Sequence, residues 1–330
     1  MSSRRYASEA TLQPLLREVL ADAGYEETSG GDWSLWWPAS AKRLEARLAA
    51  LEGGTASATV AAIAGLHALS NGRALWANLC LRFGRTRAGR IMPQSFVPDL
   101  PRDRAAWLAE HAPGRLWLEK DIRRQRREGV WLIDDPATWE PADGDLRSRL
   151  IQAAIPDVLA VVGSRQSVRV WTVVRRDHEG LSAFVYPDGP VAWAEPDAEG
   201  AAGWLTRGGP LHRGLRPATI GQLLGRLHRE GRDVSGVWKG CARAIGASLA
   251  ASLRVLKTPP PPAGRVQVEL FGVDFVLDEQ LHPWLLEWNR RPRLTPHGPD
   301  DVGLRRAMLQ AVVGLCGGDG PGALRPVGRW

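Results

Sequence analysis

Three residues in the last third of the chain, Asp274, Glu287 and Asn289, have types and spacing suited to holding a hard cation. Alternation along a strand from Arg265 to Leu277 puts Leu270, Asp274 and Val276 on one face and Phe271, Val273 and Phe275 on the other. A second strand, Trp284 to Asn289, sends Leu285, Glu287 and Asn289 to one face and Trp284, Leu286 and Trp288 to the other. With Gln280-Leu281 as the turn, Asp274 faces Glu287 across the hairpin and Asn289 lies two positions on. Adjacent carboxylates raise each other's pKa unless a cation sits between them, and oxygen ligands on a rigid sheet suit Mg²⁺ carrying a phosphate. The same spacing also fits two solvated edge acids paired with arginine, which is abundant here.

The elements around this hairpin follow from periodicity. Leu12, Leu15, Leu16, Val19 and Leu20 repeat at helical spacing, and Asp32 to Trp37 reads as a short aromatic strand. Helices are expected over Ala39 to Leu51, ending at Gly53-Gly54, and over Ala74 to Phe83 and Asp103 to His111. Strands are expected over Leu116 to Lys120 and Val130 to Ile133, flanking the basic stretch Asp121 to Glu128. Gln152 to Val162, Ser167 to Arg175, Leu181 to Tyr186 and Val191 to Ala194 read as an antiparallel meander. Val234 to Leu256 has the longest helical stripe, and the four prolines after Thr258 force a stiff loop. A last helix, Val302 to Leu315, precedes a Gly/Pro-rich tail expected to be mobile at its end.

Lys and Arg together number 43 against 36 Asp and Glu, for a net charge of +7, so the surface favours acidic partners. Cys80, Cys241 and Cys316 have no paired spacing, and no stretch reads as a signal peptide or membrane span, which points to a reducing cytoplasm and no membrane partner. One basic run, Arg123 to Arg127, without an aromatic platform argues against nucleic acid. Walker-type, paired-histidine and Gly-x-Ser-x-Gly signatures are absent from the sequence.

The run Glu269-Leu-Phe-Gly-Val-Asp274, followed by Pro283-Trp-Leu-Leu-Glu287-Trp-Asn289 and Pro292, resembles the signature of the tubulin-tyrosine-ligase family of the ATP-grasp superfamily. The resemblance implies an α/β (α+β) ATP-grasp fold, with mixed and antiparallel sheets flanked by helices and a small N-terminal α/β domain. It implies residues 1–92 as that domain, 93–150 as a central subdomain, 151–318 as the domain carrying the hairpin, and 319–330 as a tail. It also implies ATP and Mg²⁺ as cofactors, with Asp274, Glu287 and Asn289 holding the metal. Lys120 matches the family's phosphate-binding lysine, Gln152 its adenine contact, and Arg169 a conserved arginine preceded by Arg165 in place of lysine. Thr206 matches a threonine of the nucleotide site, and Asn78-Leu79 and Phe96-Val-Pro98 match weaker landmarks. Lys120 and Arg169 are the implied catalytic pair, and Arg290, Arg291 and Arg293 either grip an acidic substrate or form a solvated basic rim.

The sequence departs from the family where a glycine-rich loop would follow the lysine. Asp121 to Gly129 keeps only its last glycine, leaving either a basic lid or a loop without that function. Ser167, Pro187, Arg207 and Gly72 stand where the family has aspartate, arginine, asparagine and lysine. Two functions therefore stay open: a ligase joining an amino acid or amine to an acidic peptide or protein carboxylate, and a catalytically degenerate nucleotide- or peptide-binding module.

Overall fold

The computed structural model describes residues 4–9, 11–38, 58–110, 115–123, 129–133, 135–141, 144–155, 157–194, 206–207, 216–256, 258–296 and 299–330. The helix expected over Ala39 to Leu51 lies outside them, as does most of the basic run after Arg123.

Two sheets organise the molecule. The larger runs β13 (Thr206–Arg207), β12 (Val191–Ala194), β10 (Ser164–Asp177), β14 (Arg265–Leu277), β4 (Ala58–Val60), β3 (Leu35–Trp37), β1 (Arg4–Ser8) and β2 (Tyr25–Glu27). β15 (Pro283–Arg290) pairs with β14, β9 (Ala160–Val161) with β10, and β11 (Gly180–Val185) joins β10 to β16 (Arg325–Arg329). The smaller, antiparallel sheet has the order β5 (Ser95–Phe96), β8 (Arg149–Ala153), β6 (Trp117–Asp121), β7 (Val130–Ile133). β4 pairs parallel to β14, so the N-terminal strands and the hairpin share one sheet.

Helices cover both faces of the large sheet. Val168, Val170, Phe271, Val273 and Phe275 pack with α2 (Gly72–Phe83), α5 (Ile220–Arg229) and α6 (Val237–Ser252). On the other face Trp171, Val173, Val268 and Leu270 meet α1 (Pro14–Asp22) and α7 (Pro299–Gly317). The small sheet buries Phe96, Trp117 and Ile151 beneath Trp107 of α4 (Pro101–Glu110), while α3 (Arg85–Ala88) leads into β5.

Two features depart from the sequence expectation. The tail is not loose: β16 pairs antiparallel with β11, and the Trp330 N–H donates to the Leu181 carbonyl at 2.7 Å. Its Gly/Pro-rich composition hides a strand that pairs through its backbone with a distant partner. Helix α5 was not anticipated, although Ile220, Leu223, Leu224 and Leu227 form its buried stripe and Thr219 caps it, accepting from the Gln222 N–H. Among the described residues no helix is long and apolar enough to cross a membrane.

Candidate functional site

Strand parity decides what faces the cleft between the two sheets. On β6 and β8, Leu118, Lys120 and Gln152 point to the cleft, while Trp117, Glu119, Asp121, Arg149 and Ile151 point to the back. Lys120 Nζ donates to Gln152 Oε1 at 2.5 Å, and Gln152 Nε2 donates to Ser95 Oγ at 3.0 Å. These contacts orient the Gln152 amide.

Across the cleft, β14 and β15 pair Asp274 with Glu287, the register read from the sequence. They reach it by another route. Leu277 pairs with Pro283 and Phe275 with Leu285, which centres the turn on Gln280 and not between Gln280 and Leu281, and a β-bulge between Phe275 and Asp274 restores the register. The extra residue is Leu286. Alternation breaks there, so Leu285 enters the core while Leu286 lines the cleft, correcting the face assignment made from simple alternation. Asp278 stabilises the turn: its Oδ1 accepts from the N–H groups of Gln280 and His282, and its Oδ2 from Trp284 Nε1 at 2.9 Å.

The carboxylates sit in one hydrogen-bonded cluster. Arg169 on β10 lies opposite Asp274 and donates from Nε and Nη2 to its two oxygens, each at 2.7 Å. Asn289 Nδ2 donates to Asp274 Oδ2 at 3.0 Å and to Glu287 Oε1 at 3.1 Å. Gly272 makes room for Arg169, since a Cβ there would stand 2.8 Å from its Cδ and 3.0 Å from its Nε. Glu287 is exposed towards the cleft but ringed by protein, and that desolvation raises its carboxyl pKa. Asp274 adds to the rise, while Lys120, Asn289 and Arg169 oppose it. Desolvation also lowers the Lys120 ammonium, with Glu287 acting against it. Burial works against the Arg169 cation, but Asp274 and Glu287 outweigh it and hold the group charged.

Leu118, Val130, Ile155, Val158, Val276 and Leu286 wall the cleft with apolar surface, and Arg165 and Ser167 also line it, around a space of about 150 Å³. A larger hollow of about 370 Å³ behind Ala153 to Ile155 has no carboxylate pair. Its Arg85 binds Asp103 at 2.8 Å, and its Gln94 bonds Glu110. The polar chemistry therefore lies in the smaller space.

Other expected positions lie apart from this cluster. Arg290 donates from Nε and Nη2 to buried Glu269, each at 2.7 Å, and from Nη2 to the Ile63 carbonyl, while the Ile63 N–H donates to Glu269. That clasp ties the end of β15 to the segment after β4. It leaves Arg291, at φ 51°, and Arg293 as the exposed cations beyond Asn289. Thr206 pairs with Ala194 through β13, its side chain lying outside the described residues. Arg73, beside the position of the family's early lysine, is engaged by the Leu146 carbonyl at 2.9 Å and by Asp99 at 2.5 Å. Arg123 is held by Asp121 and by Asp145 at 2.8 Å. Glu269, Gly272 and Ser95 were not singled out from sequence, although Glu269 and Gly272 lie inside the quoted motif.

The donor set fits a small hard cation: two carboxylates and one amide lie within hydrogen-bonding reach of one another on a rigid hairpin. Asn289 would offer its oxygen only after its amide turns over. Among the described residues no group of three or more His, Cys, Asp or Glu side chains is placed to hold a metal, so any such site depends on Asn289 and on the ligand's own oxygens.

The mixed α/β architecture, with parallel and antiparallel strands flanked by helices and a smaller sheet facing the carboxylate hairpin, is consistent with an ATP-grasp-like fold. Residues 218–318 match the model of the tubulin-tyrosine ligase family. The chain is similar to that family over this stretch and, at low identity, along much of its length. It is 25% identical over 276 residues to the tubulin monoglutamylase TTLL4 of Mus musculus, covering 74% of this chain and 22% of the relative. It is 23% identical over 256 residues to the tubulin polyglutamylase TTLL5 of Homo sapiens, covering 70% and 19%. With the probable tubulin polyglutamylase TTLL2 of Homo sapiens it shares 22% identity over 344 residues, covering 93% and 55%. The chain thus spans only 22% of the length of the TTLL4 relative.

Proposed function

We propose that the chain is an ATP-dependent carboxylate-amine ligase that joins an amino acid or amine to a carboxylate on an acidic peptide or protein, in the cytoplasm. The observation that carries this reading is the cluster of Arg169, Asp274, Asn289 and Glu287 facing Lys120 and Gln152 across an apolar-walled cleft. The relatives it matches include a tubulin monoglutamylase and a tubulin polyglutamylase, whose names point to a protein substrate.

Each group then has a task. Leu118, Val130, Ile155, Val276 and Leu286 hold the nucleobase, and Gln152, fixed by Ser95, reads its edge. Asp274, Glu287 and the Asn289 amide oxygen would hold Mg²⁺, which when bound neutralises charge on the terminal phosphates. Lys120, Arg165 and Thr206 meet the phosphates. A substrate carboxylate attacks the γ-phosphorus and ADP departs, after which the amine displaces phosphate from the acyl phosphate to form the amide. Arg169 stabilises the charge developing on the transferring group, and a preorganised cation in a cleft of low dielectric does this with little reorganisation. Arg291 and Arg293 face the acidic substrate, whereas Arg290 serves the clasp with Glu269.

Thermal unfolding with and without Mg-ATP, beside an ADP-release assay across amino acids and acidic peptides, tests the reading. At about 100 times Kd the ligand adds about 2.7 kcal/mol of stability. That gain is expected in the wild type and lost in Glu287→Gln. Stabilisation without ADP release across the panel would identify the degenerate binding module instead, and no stabilisation at all overturns nucleotide binding.

A further inference from the structure

The carboxylates that would receive a cation already have donors of their own. Arg169 spans both oxygens of Asp274, and Asn289 Nδ2 bridges Asp274 to Glu287. With Lys120 on the opposite wall and Arg165 also lining the cleft, three cations stand against two carboxylates, so the cleft carries no excess of negative charge. A bare divalent ion entering here gains little from long-range attraction, and it must displace a bidentate guanidinium, among the strongest hydrogen-bonded pairs side chains make. A nucleotide polyphosphate changes both conditions. Its oxygens give Arg169 and Lys120 other partners, and its negative charge offsets that of the ion.

Resting on the ligase reading above, we propose that Arg169 is a latch making the cleft selective for the cation-nucleotide pair over the free cation. The guanidinium holds Asp274 closed until phosphate oxygens draw it away, and only then do the Asp274 oxygens face the metal. The surroundings suit a moving group. The Arg169 side chain keeps 33% of its surface exposed, and it lies against the bare Cα of Gly272, where no side chain pins it. A latch of this kind makes binding reciprocal: the nucleotide strengthens the cation by the same factor as the cation strengthens the nucleotide.

Titration of the full chain with Mn²⁺, following the paramagnetic resonance of the free ion, reads this without any turnover. Adenylyl imidodiphosphate serves as the nucleotide. Wild-type protein is expected to bind Mn²⁺ at least about tenfold more tightly with the nucleotide than without it. Arg169→Gln is expected to bind free Mn²⁺ several-fold more tightly than wild type and so to show a coupling smaller by the same factor, the remainder coming from the nucleotide's own oxygens. Arg169→Lys, which keeps the charge but cannot span both oxygens, should fall between them and covers the case in which the glutamine variant does not fold. Equal Mn²⁺ affinity with and without nucleotide in the wild type overturns the latch, as does unchanged free-ion affinity in both variants. If the wild type binds the nucleotide but shows no coupling, the latch alone is lost; if it binds no nucleotide at any Mn²⁺ concentration, the ligase reading falls with it.

Discussion

Two arginine-carboxylate pairs, one on each sheet, use the same chemistry for different ends. Arg149 on the back of the small sheet lies 3.0 Å from Glu119 and 2.9 Å from Asp121, and the side chains of Arg149 and Asp121 are 1% and 0% exposed. Trp139 Nε1 donates to Glu119 at 2.8 Å, and the Arg149 guanidinium lies over the Trp131 ring. Arg169 and Asp274, on the cleft face of the large sheet, are 33% and 17% exposed. A pair sealed from water cannot exchange partners, because either ion left alone would stay buried and unsolvated. A pair open on one side can surrender a partner to an incoming phosphate or cation. Exposure, not geometry, separates the structural pair from the one available to a ligand.

Substitutions sharpen that contrast. Arg149→Met leaves buried Glu119 without a cation, with only Trp139 Nε1 donating to it, and Asp121 with Arg123 alone, and is expected to cost about 3–5 kcal/mol. Chemical denaturation measures this, and a loss below about 1 kcal/mol would show that water reaches the pair. In the cleft, Gly272→Ala pushes Arg169 off Asp274 while leaving the core intact. It should weaken Mg-nucleotide affinity by about tenfold, near 1.4 kcal/mol, with a smaller change in melting temperature. Calorimetric titration showing unchanged affinity would mean that Arg169 reaches Asp274 despite the added methyl group.

The smallest effect falls on Arg123, half-exposed at the edge of the sealed network. Its hydrogen bonds hold the Asp121 carboxyl below the usual carboxylate range, with burial opposing and Arg149 assisting. A depressed carboxyl contributes stability above its unfolded-state pKa and loses it as pH falls through its folded-state value. Arg123→Gln removes the guanidinium that bonds Asp121, so acid unfolding should begin at higher pH than in the wild type, with about 1 kcal/mol lost at neutral pH. Coincident acid-unfolding curves would show that Arg149 alone holds Asp121 ionised.

The hairpin was legible because strand periodicity is two, and a carboxylate in an apolar run marks the face on which it lies. Lys120 and Gln152 were legible through the family motif, and parity then places them on one wall. The bulge at Leu286 was not, since an extra residue leaves no periodic trace and Leu285 and Leu286 are the same residue type. The clasp of Glu269, Arg290 and Ile63 was hidden because it joins a side-chain pair to a backbone segment 206 residues away from Glu269. Arg290 therefore read as a free cation beside Arg291. β16 was hidden for a related reason, as its partner β11 precedes it by more than a hundred residues and no side-chain pattern announces the pairing.

The bulge at Leu286 also separates two lengths that a regular hairpin would tie together. In an unbroken ladder, lengthening the turn by one residue carries every later residue of β15 to the opposite face. Here the turn from Asp278 to His282 closes the short ladder below the bulge, Phe275–Leu285 to Leu277–Pro283, and Glu287 and Asn289 belong to the ladder above it. The turn is accordingly a replaceable module: a loop of another length, grafted with its Asp278 anchor, can change the rim of the cleft while the carboxylates keep their places.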